Sequence, residues 1–184
     1  MIVMKRLFLL VAAVTLSSCG GGSDQATGSP PAGDTADPGV LSRYTASYPL
    51  VDNSDAAAYK VLLMGNSHAS GLYPVLADLL ALGQPDKRID VQLSSRGGFL
   101  ADRVNDGFSH HDLESEPWTH VILQGQKYST TGSYSYPTDA AEYWIRGSKQ
   151  QGATPIMFPE HPRKGNTWEG QTLWDLHKGI AVRE

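Results

Sequence analysis

One serine stands at a position where it could act as a nucleophile. Gly65, Asn66, Ser67 and His68 follow the apolar run 61–64, and a helical pattern of apolar residues comes next. A strand-to-helix turn of this kind presents its serine at the N-terminus of the helix, where backbone N–H groups can stabilise a developing oxyanion. The pattern therefore predicts nucleophilic attack by Ser67 on an acyl group. A second interpretation stays open, in which Ser67 only caps the helix.

The histidines provide the candidates for the base that a serine nucleophile needs. His161 follows the apolar run 154–158, and we predict that it takes the serine proton, because a base must lie at the same edge of the fold as the nucleophile. A solvent-facing histidine with no role in the reaction is the alternative. For His68 the sequence favours a substrate contact or a role at the start of the helix. The run from His110 to Asp112 lacks further ligands at metal-binding spacing, so we expect neither a metal nor a cofactor.

Runs and periodicities of apolar residues predict the elements that position these side chains. We predict strands at 60–64, 89–93, 118–123 and 154–158, and helices at 72–83, 99–108, 138–151 and from 169 to about 178. This alternation indicates an α/β fold, a three-layer α/β/α sandwich with a parallel sheet. The carboxyl ends of parallel strands meet at one edge. We therefore expect the polar residues after each strand to converge: 65–68, 94–98, 124–126 and 159–161.

These residues resemble the conserved blocks of the SGNH (GDSL-like) hydrolase superfamily, whose fold is flavodoxin-like. The stretch 61–67 is similar to the first block, in which Gly-Asp-Ser or Gly-Asn-Ser follows the first strand and the serine is the nucleophile. Gly97 or Gly98 stands in the place of the second-block glycine, and Gln126 in the place of the third-block asparagine. The resemblance thus implies an oxyanion hole formed by Gly98 and Gln126, with Gln124 as a substrate contact. A plain turn and a solvated loop are the alternatives.

The last block of that superfamily, Asp-x-x-His, does not occur in the sequence. The resemblance covers about residues 60–158. We expect either a sequence that stops before the last strand and helix of the fold or a protein without the usual base. A non-catalytic module that binds glycans or partners is therefore the main alternative to a hydrolase. Phosphate binding at 65–71 is a third, although Leu72 and Tyr73 stand where nucleotide-binding loops have Lys and Ser/Thr.

The N-terminal residues predict export and a lipid anchor. Lys5 and Arg6 precede the apolar run 7–16, which is the layout of a secretory signal. The following residues up to Cys19 resemble a bacterial lipobox, which implies that cleavage leaves Cys19 as an acylated N-terminus. That resemblance places the protein at the bacterial cell envelope, on the periplasmic or outer-membrane face. An ordinary signal with an incidental cysteine, or a buried N-terminal helix, is the alternative.

Composition divides the chain and limits its partners. Residues 1–19 read as the signal peptide, 20–58 as a Gly- and Pro-rich linker with a transition segment, and 59–184 as the hydrolase-like domain. The net charge of −4, without a long basic run, argues against nucleic acid as a partner. We expect the membrane as a partner, through Cys19, and an ester substrate. The substrate carries an O-acyl group on a carbohydrate or lipid, and the Tyr-rich stretch 128–136 would suit a carbohydrate.

Overall fold

The computed structural model describes residues 41–124, 138–162 and 164–184. Within them, four parallel strands form one sheet in the order β2-β1-β3-β4. The α/β class with a parallel sheet is therefore confirmed. The strands lie close to the predicted ranges: β1 is Ala58–Met64, β2 Arg88–Leu93, β3 His120–Gln124 and β4 Thr154–Phe158. Cys19, the signal and linker residues up to 40, and Gln126 lie outside the described residues.

The helices follow the strands in alternation, and two of them differ from the prediction. They are α1 Ser67–Gly83, α2 Leu100–Arg103, α3 Gly107–Glu114, α4 Asp139–Gln150 and α5 Thr167–Arg183. The single helix predicted at 99–108 is wrong, because two short helices replace it. The Asp106 side chain accepts a hydrogen bond from Phe108 N at 2.9 Å and so caps a new helix at that point. No helix in the described ranges is long and apolar enough to cross a membrane.

Two apolar clusters contain alternate residues of the inner strand β1. Leu62 and Met64 belong to a cluster that includes residues of α2, α3, α4 and α5. Val61 and Leu63 belong to a second cluster with residues of α1 and β2. Successive side chains of a strand point to opposite faces of its sheet, which explains this division. The three-layer form of the sandwich stays a prediction that is compatible with the two clusters.

Helix α1 begins earlier and buries a different stripe than the sequence indicates. It starts at Ser67, so Pro74 lies inside the helix rather than near its start. The i, i+3, i+4 spacing of Leu72, Val75, Leu76, Leu79 and Leu80 predicts one apolar face, yet Val75 and Leu79 are 46% and 50% exposed. Two small residues, Ala69 and Ala77, belong to the packed face together with Leu76 and Leu80 of the apolar pattern. The face that α1 packs against the sheet is formed by Ala69, Leu76, Ala77 and Leu80.

The segment before β1 also contributes to the core. Tyr44 is almost fully buried, and its ring centroid lies 4.8 Å from that of Tyr143 in α4. Its hydroxyl donates a 2.6 Å hydrogen bond to Glu114. A Cβ on Gly147 would lie 2.6 Å from the Tyr44 ring, so the glycine makes this packing possible. By contrast, Leu50 in the same segment is 64% exposed.

Buried His177 in α5 gives the stability of this body a defined pH dependence. Burial lowers the pKa of His177, against the opposing effects of its 2.7 Å contact with the Leu173 carbonyl and of the charge on Glu160. The unfolded chain, with an ordinary histidine pKa of about 6.5, then binds protons more readily than the folded one. Stability due to this group is therefore complete above about pH 6.5 and is lost as the pH falls towards the lowered pKa.

We expect a His177→Asn variant to lose less stability on acidification than the wild type. Asparagine can still donate to the Leu173 carbonyl, but it does not titrate. Urea unfolding between about pH 7 and pH 5 should show a shallower slope, by at most about 1.4 kcal/mol per pH unit, the value for one proton. His120, whose pKa burial also lowers, remains in both proteins. The exposed His111→Asn variant is the control, and equal slopes in all three proteins would contradict the assignment.

Candidate functional site

Ser67 is the first residue of α1 and lies at the carboxyl edge of the sheet, where the strands end. Its side chain is exposed, and its hydroxyl makes no hydrogen bond with any residue that the structure describes. The helix is capped by the preceding residue, because the Asn66 side chain accepts from His68 N at 3.0 Å. The capping interpretation of Ser67 is therefore not needed. Its hydroxyl is left available for chemistry.

The backbone N–H of Ser67 is also available. Its neighbours are used: Asn66 N donates to the Gln124 side chain at 3.2 Å, and Ala69 N donates to the Asn66 carbonyl at 3.0 Å. Among the described residues, the Ser67 N–H meets no acceptor. The first N–H groups of a helix carry its positive dipole end, so this group can stabilise an anion. The hydroxyl and the donor that an acyl-transfer site requires thus belong to one residue.

Gly65 sits where β1, β3 and α1 meet. A Cβ there would lie 2.5 Å from Oε1 of Gln124 and 2.6 Å from Cβ of Ala69. Both distances are far below van der Waals contact, so only glycine fits without movement. The glycine is required by close packing and not by an unusual backbone angle, since it is not among the residues with positive φ. This contact fixes the position of Ser67 relative to the end of β3.

Gln124 supports the turn from the end of β3. Its side chain is 1% exposed, and its Oε1 is the atom that accepts from Asn66 N. Its Nε2 is buried and has no hydrogen-bond partner in the described part of the chain. Buried amide donors without a partner are rare. The substrate contact that we expected from Gln124 stays a prediction, and the observed role of its carbonyl end is to hold the turn.

Gly98 lies against the same turn. Its backbone N–H donates to the Gly65 carbonyl over 3.3 Å, and its φ of 152° is one that other residues rarely adopt. This long hydrogen bond uses the group that we expected in the oxyanion hole. The oxyanion role of Gly98 therefore stays a prediction. It requires the Gly98 N–H to leave the Gly65 carbonyl and donate to the oxyanion instead.

The structure brings His161 to the start of α1. The ring centroids of His68 and His161 lie 4.9 Å apart, at an interplanar angle of 74°, and both side chains are exposed. Nδ1 of His161 lies 3.1 Å from the Pro162 carbonyl. If Nδ1 carries the proton and donates to that carbonyl, Nε2 keeps a lone pair and can accept a proton. No hydrogen bond joins Ser67 to a histidine among the described residues, and the role of His161 as base stays a prediction.

The side chains of His110 and Asp112 make hydrogen bonds that hold neighbouring parts of the fold together. His110 is buried, with Nε2 2.6 Å from the Tyr143 hydroxyl and Nδ1 2.9 Å from the Asp106 carbonyl. Asp112 accepts hydrogen bonds from the hydroxyls of Ser94 and Ser95 at 2.7 and 2.9 Å. In the described ranges, no three or more His, Cys, Asp or Glu side chains are grouped so that they could hold a metal ion.

Arg103 is a residue of this edge that the sequence analysis did not identify. It is 1% exposed, and its guanidinium donates to the Gly65 carbonyl at 2.7 Å and to the carbonyl of Arg96. Burial lowers its pKa, and nearby aspartates oppose that effect. A signal was present, because Leu100, Arg103 and Val104 have the i, i+3, i+4 spacing of one helical face. An arginine on an otherwise apolar face indicates a buried charge with fixed partners.

The predicted residues therefore converge around the first turn of α1, with the exception of those outside the described ranges. Gly98 contacts Gly65, Gln124 contacts Asn66, and His161 contacts His68. In comparisons with known proteins, no protein-family model matches the chain, and no curated protein matches it.

Proposed function

We propose that this protein is a serine-dependent hydrolase of esters, with an O-acyl group on a carbohydrate or lipid as its substrate. One observation carries the proposal: Ser67 offers both an exposed hydroxyl and an unused backbone N–H at the N-terminus of α1. A carbonyl carbon that reaches the hydroxyl can direct its oxygen towards that N–H. Because the helix dipole favours negative charge there, it stabilises the tetrahedral intermediate, which carries an oxyanion, more than it stabilises the neutral ester.

In the proposed reaction, Oγ of Ser67 attacks the acyl carbon and its proton passes to Nε2 of His161. The carbonyl oxygen becomes an oxyanion, which the Ser67 N–H stabilises together with Gly98 and Gln126. When the intermediate collapses, the alcohol leaves with the proton from His161, and the acyl group stays on Ser67. Water then attacks this ester by the reverse sequence of proton transfers and releases the acid. Neither oxidant nor cofactor enters these steps.

The proposal includes the location of the enzyme. Acyl chains on Cys19 would anchor the protein at the bacterial envelope, because each buried CH₂ contributes about 0.8 kcal/mol to membrane binding. The Gly- and Pro-rich residues after Cys19 would then tether the domain to the membrane. Membrane-bound or wall-bound acyl esters would be within its reach. Metabolic labelling with an alkynyl fatty acid, with Cys19→Ala as its control, tests this anchor separately from the activity.

A fluorophosphonate probe tests the catalytic proposal directly. We expect the folded protein to form a covalent adduct that peptide mass spectrometry maps to Ser67, and we expect the urea-unfolded protein to form none. The rival function is a non-catalytic binding module, which is favoured by the lack of a hydrogen bond between Ser67 and a histidine in the described residues. A folded protein that stays unlabelled would support that rival.

The same probe separates the two histidines at the start of α1. If His161 takes the serine proton, His161→Ala should slow labelling by about 10²-fold or more, the usual contribution of a general base. His68→Ala is the matched control, because its ring is also exposed and packs against that of His161. We expect it to slow labelling by less than about 10-fold, as befits a substrate contact. Equal rates for His161→Ala and the wild type would remove His161 from the mechanism.

A further inference from the structure

The guanidinium of Arg103 connects separate loops at the carboxyl edge of the sheet. Nη2 donates to the carbonyls of Gly65 and Arg96, and Nε donates to the Gly98 carbonyl at 3.4 Å. Nη1 donates to the hydroxyls of Ser94 and Ser109, each at 2.9 Å. An arginine has five N–H donors in a fixed planar arrangement, and all five are used here.

Those contacts bear on the turn that carries Ser67. The Gly65 carbonyl accepts from both Arg103 and the Gly98 N–H, so one oxygen joins the loop after β1 to the loop after β2. Arg103 also donates to the Gly98 carbonyl, so it contacts the loop after β2 as well as the loop after β1. A shift of the guanidinium would move the Ser67 turn and the Gly98 loop relative to each other.

The charge of Arg103 is held without a direct ion pair in the described residues. Its Nη1 contacts are serine hydroxyls, which in turn donate to carboxylates: Ser94 to Asp112 at 2.7 Å and Ser109 to Asp106 at 3.0 Å. Asp112 and Asp102 also accept directly from the backbone N–H groups of Ser95 and Phe99, at 2.8 and 3.2 Å, so carboxylates border the loop after β2 as well. These aspartates offset the charge of Arg103, so its effect on the Ser67 turn comes from the fixed position of its donors.

We propose that Arg103 is a positioning residue that fixes the Ser67 turn against the Gly98 loop. The inference rests on the proposed ester hydrolysis. A displaced Ser67 turn misplaces the nucleophile and the oxyanion donors in the chemical step, while the ester itself has no contact with Arg103 in this proposal. Its loss should therefore lower kcat and leave KM nearly unchanged.

Arg103→Lys is the main variant, because it keeps the charge and loses the planar set of donors. With p-nitrophenyl acetate we expect kcat to fall about 10- to 100-fold, with KM changed by less than about 3-fold. Arg146→Lys is the matched control, since Arg146 also binds a backbone carbonyl, that of Tyr44 at 2.9 Å, away from the serine turn. It should lower the unfolding temperature without lowering kcat. A rise in KM alone, or an unchanged kcat, in Arg103→Lys would overturn the proposal.

Amide hydrogen exchange measures the positioning effect without any substrate. We expect the Gly98 N–H to exchange at least about 10-fold faster in Arg103→Lys than in the wild type, because its acceptor is no longer held in place. If fluorophosphonate fails to label the wild type, the hydrolase proposal fails, yet this exchange rate still decides whether Arg103 positions the turn. Unchanged exchange at Gly98 would overturn the positioning role.

A milder variant covers the case in which Arg103→Lys does not fold. Ser94→Ala removes one of the hydrogen bonds to Nη1 and the link to Asp112. We expect kcat to fall about 3- to 10-fold with KM unchanged, and Gly98 exchange to rise with it. Wild-type values for both quantities would overturn the proposal.

Discussion

A Ser67→Ala variant is expected to lose hydrolysis of p-nitrophenyl acetate by about 10⁴-fold or more in kcat/KM, while its unfolding free energy changes by less than about 0.5 kcal/mol. The two expectations come from the same fact. The Ser67 hydroxyl has no hydrogen-bond partner among the described residues, and the helix cap is supplied by Asn66. Alanine therefore removes the nucleophile without removing a structural contact. Stopped assays and urea unfolding measure the two quantities.

Ser70→Ala is the matched control for that prediction. Ser70 is an exposed serine on the first turn of the same helix. Its replacement by alanine therefore removes the same atom, a hydroxyl oxygen, from that turn. We expect it to keep wild-type activity and stability. If Ser67→Ala retained the activity of Ser70→Ala, the hydrolysis would come from another residue or from a contaminant. The nucleophile assignment would then be wrong.

The parts of the fold that the sequence predicts are those set by local patterns. The run 61–64 gave a strand in the observed place, because all four residues of this part of β1 are apolar and buried. The turn at Gly65 was predictable for the same reason, since it punctuates such a run. Helix α3 was missed because its sequence, 107–114, mixes Ser, His and Asp with few apolar residues, and only one of its three buried residues, Leu113, is apolar.

The contacts that define the site depend on residues far apart in the chain and could not be read from local patterns. Gln124 holds Asn66 across 58 positions, and Arg103 holds Gly65 across 38. Neither pairing can be predicted from the spacing of nearby residues, because each forms only when the ends of β1, β2 and β3 lie side by side in the sheet. Tyr44 is a similar case, because its burial needs the gap at Gly147.

The site also explains why a small residue must precede Asn66. Three parts of the fold approach Gly65: the end of β1 that carries it, the Gln124 side chain from β3, and Ala69 from α1. The N-terminus of the helix can then lie directly over the strand end, where the Ser67 N–H meets no acceptor among the described residues. Tight packing at one glycine is thus the physical condition for an exposed nucleophile with an adjacent donor.

A Gly65→Ala variant should therefore lose both stability and activity. The added methyl group would lie 2.5 Å from Gln124 Oε1 and 2.6 Å from Ala69 Cβ, and the second of these atoms belongs to a helix that can move only as a whole. Overpacking of this kind costs about 1–3 kcal/mol of unfolding free energy. A shift of the turn by about 1 Å should lower kcat/KM by about 10²-fold, since the reacting atoms are misplaced.

Gly71→Ala provides the opposite expectation within the same helix. A Cβ at Gly71 meets no atom within 4 Å, and alanine favours a helix over glycine by up to about 1 kcal/mol. We expect this variant to be more stable than the wild type, with unchanged kcat/KM. Urea unfolding and ester hydrolysis of the two variants together separate close packing from helix propensity. If Gly65→Ala behaved like Gly71→Ala, the junction of β1, β3 and α1 would be too loose to position Ser67, and the structural basis for its reactivity would be lost.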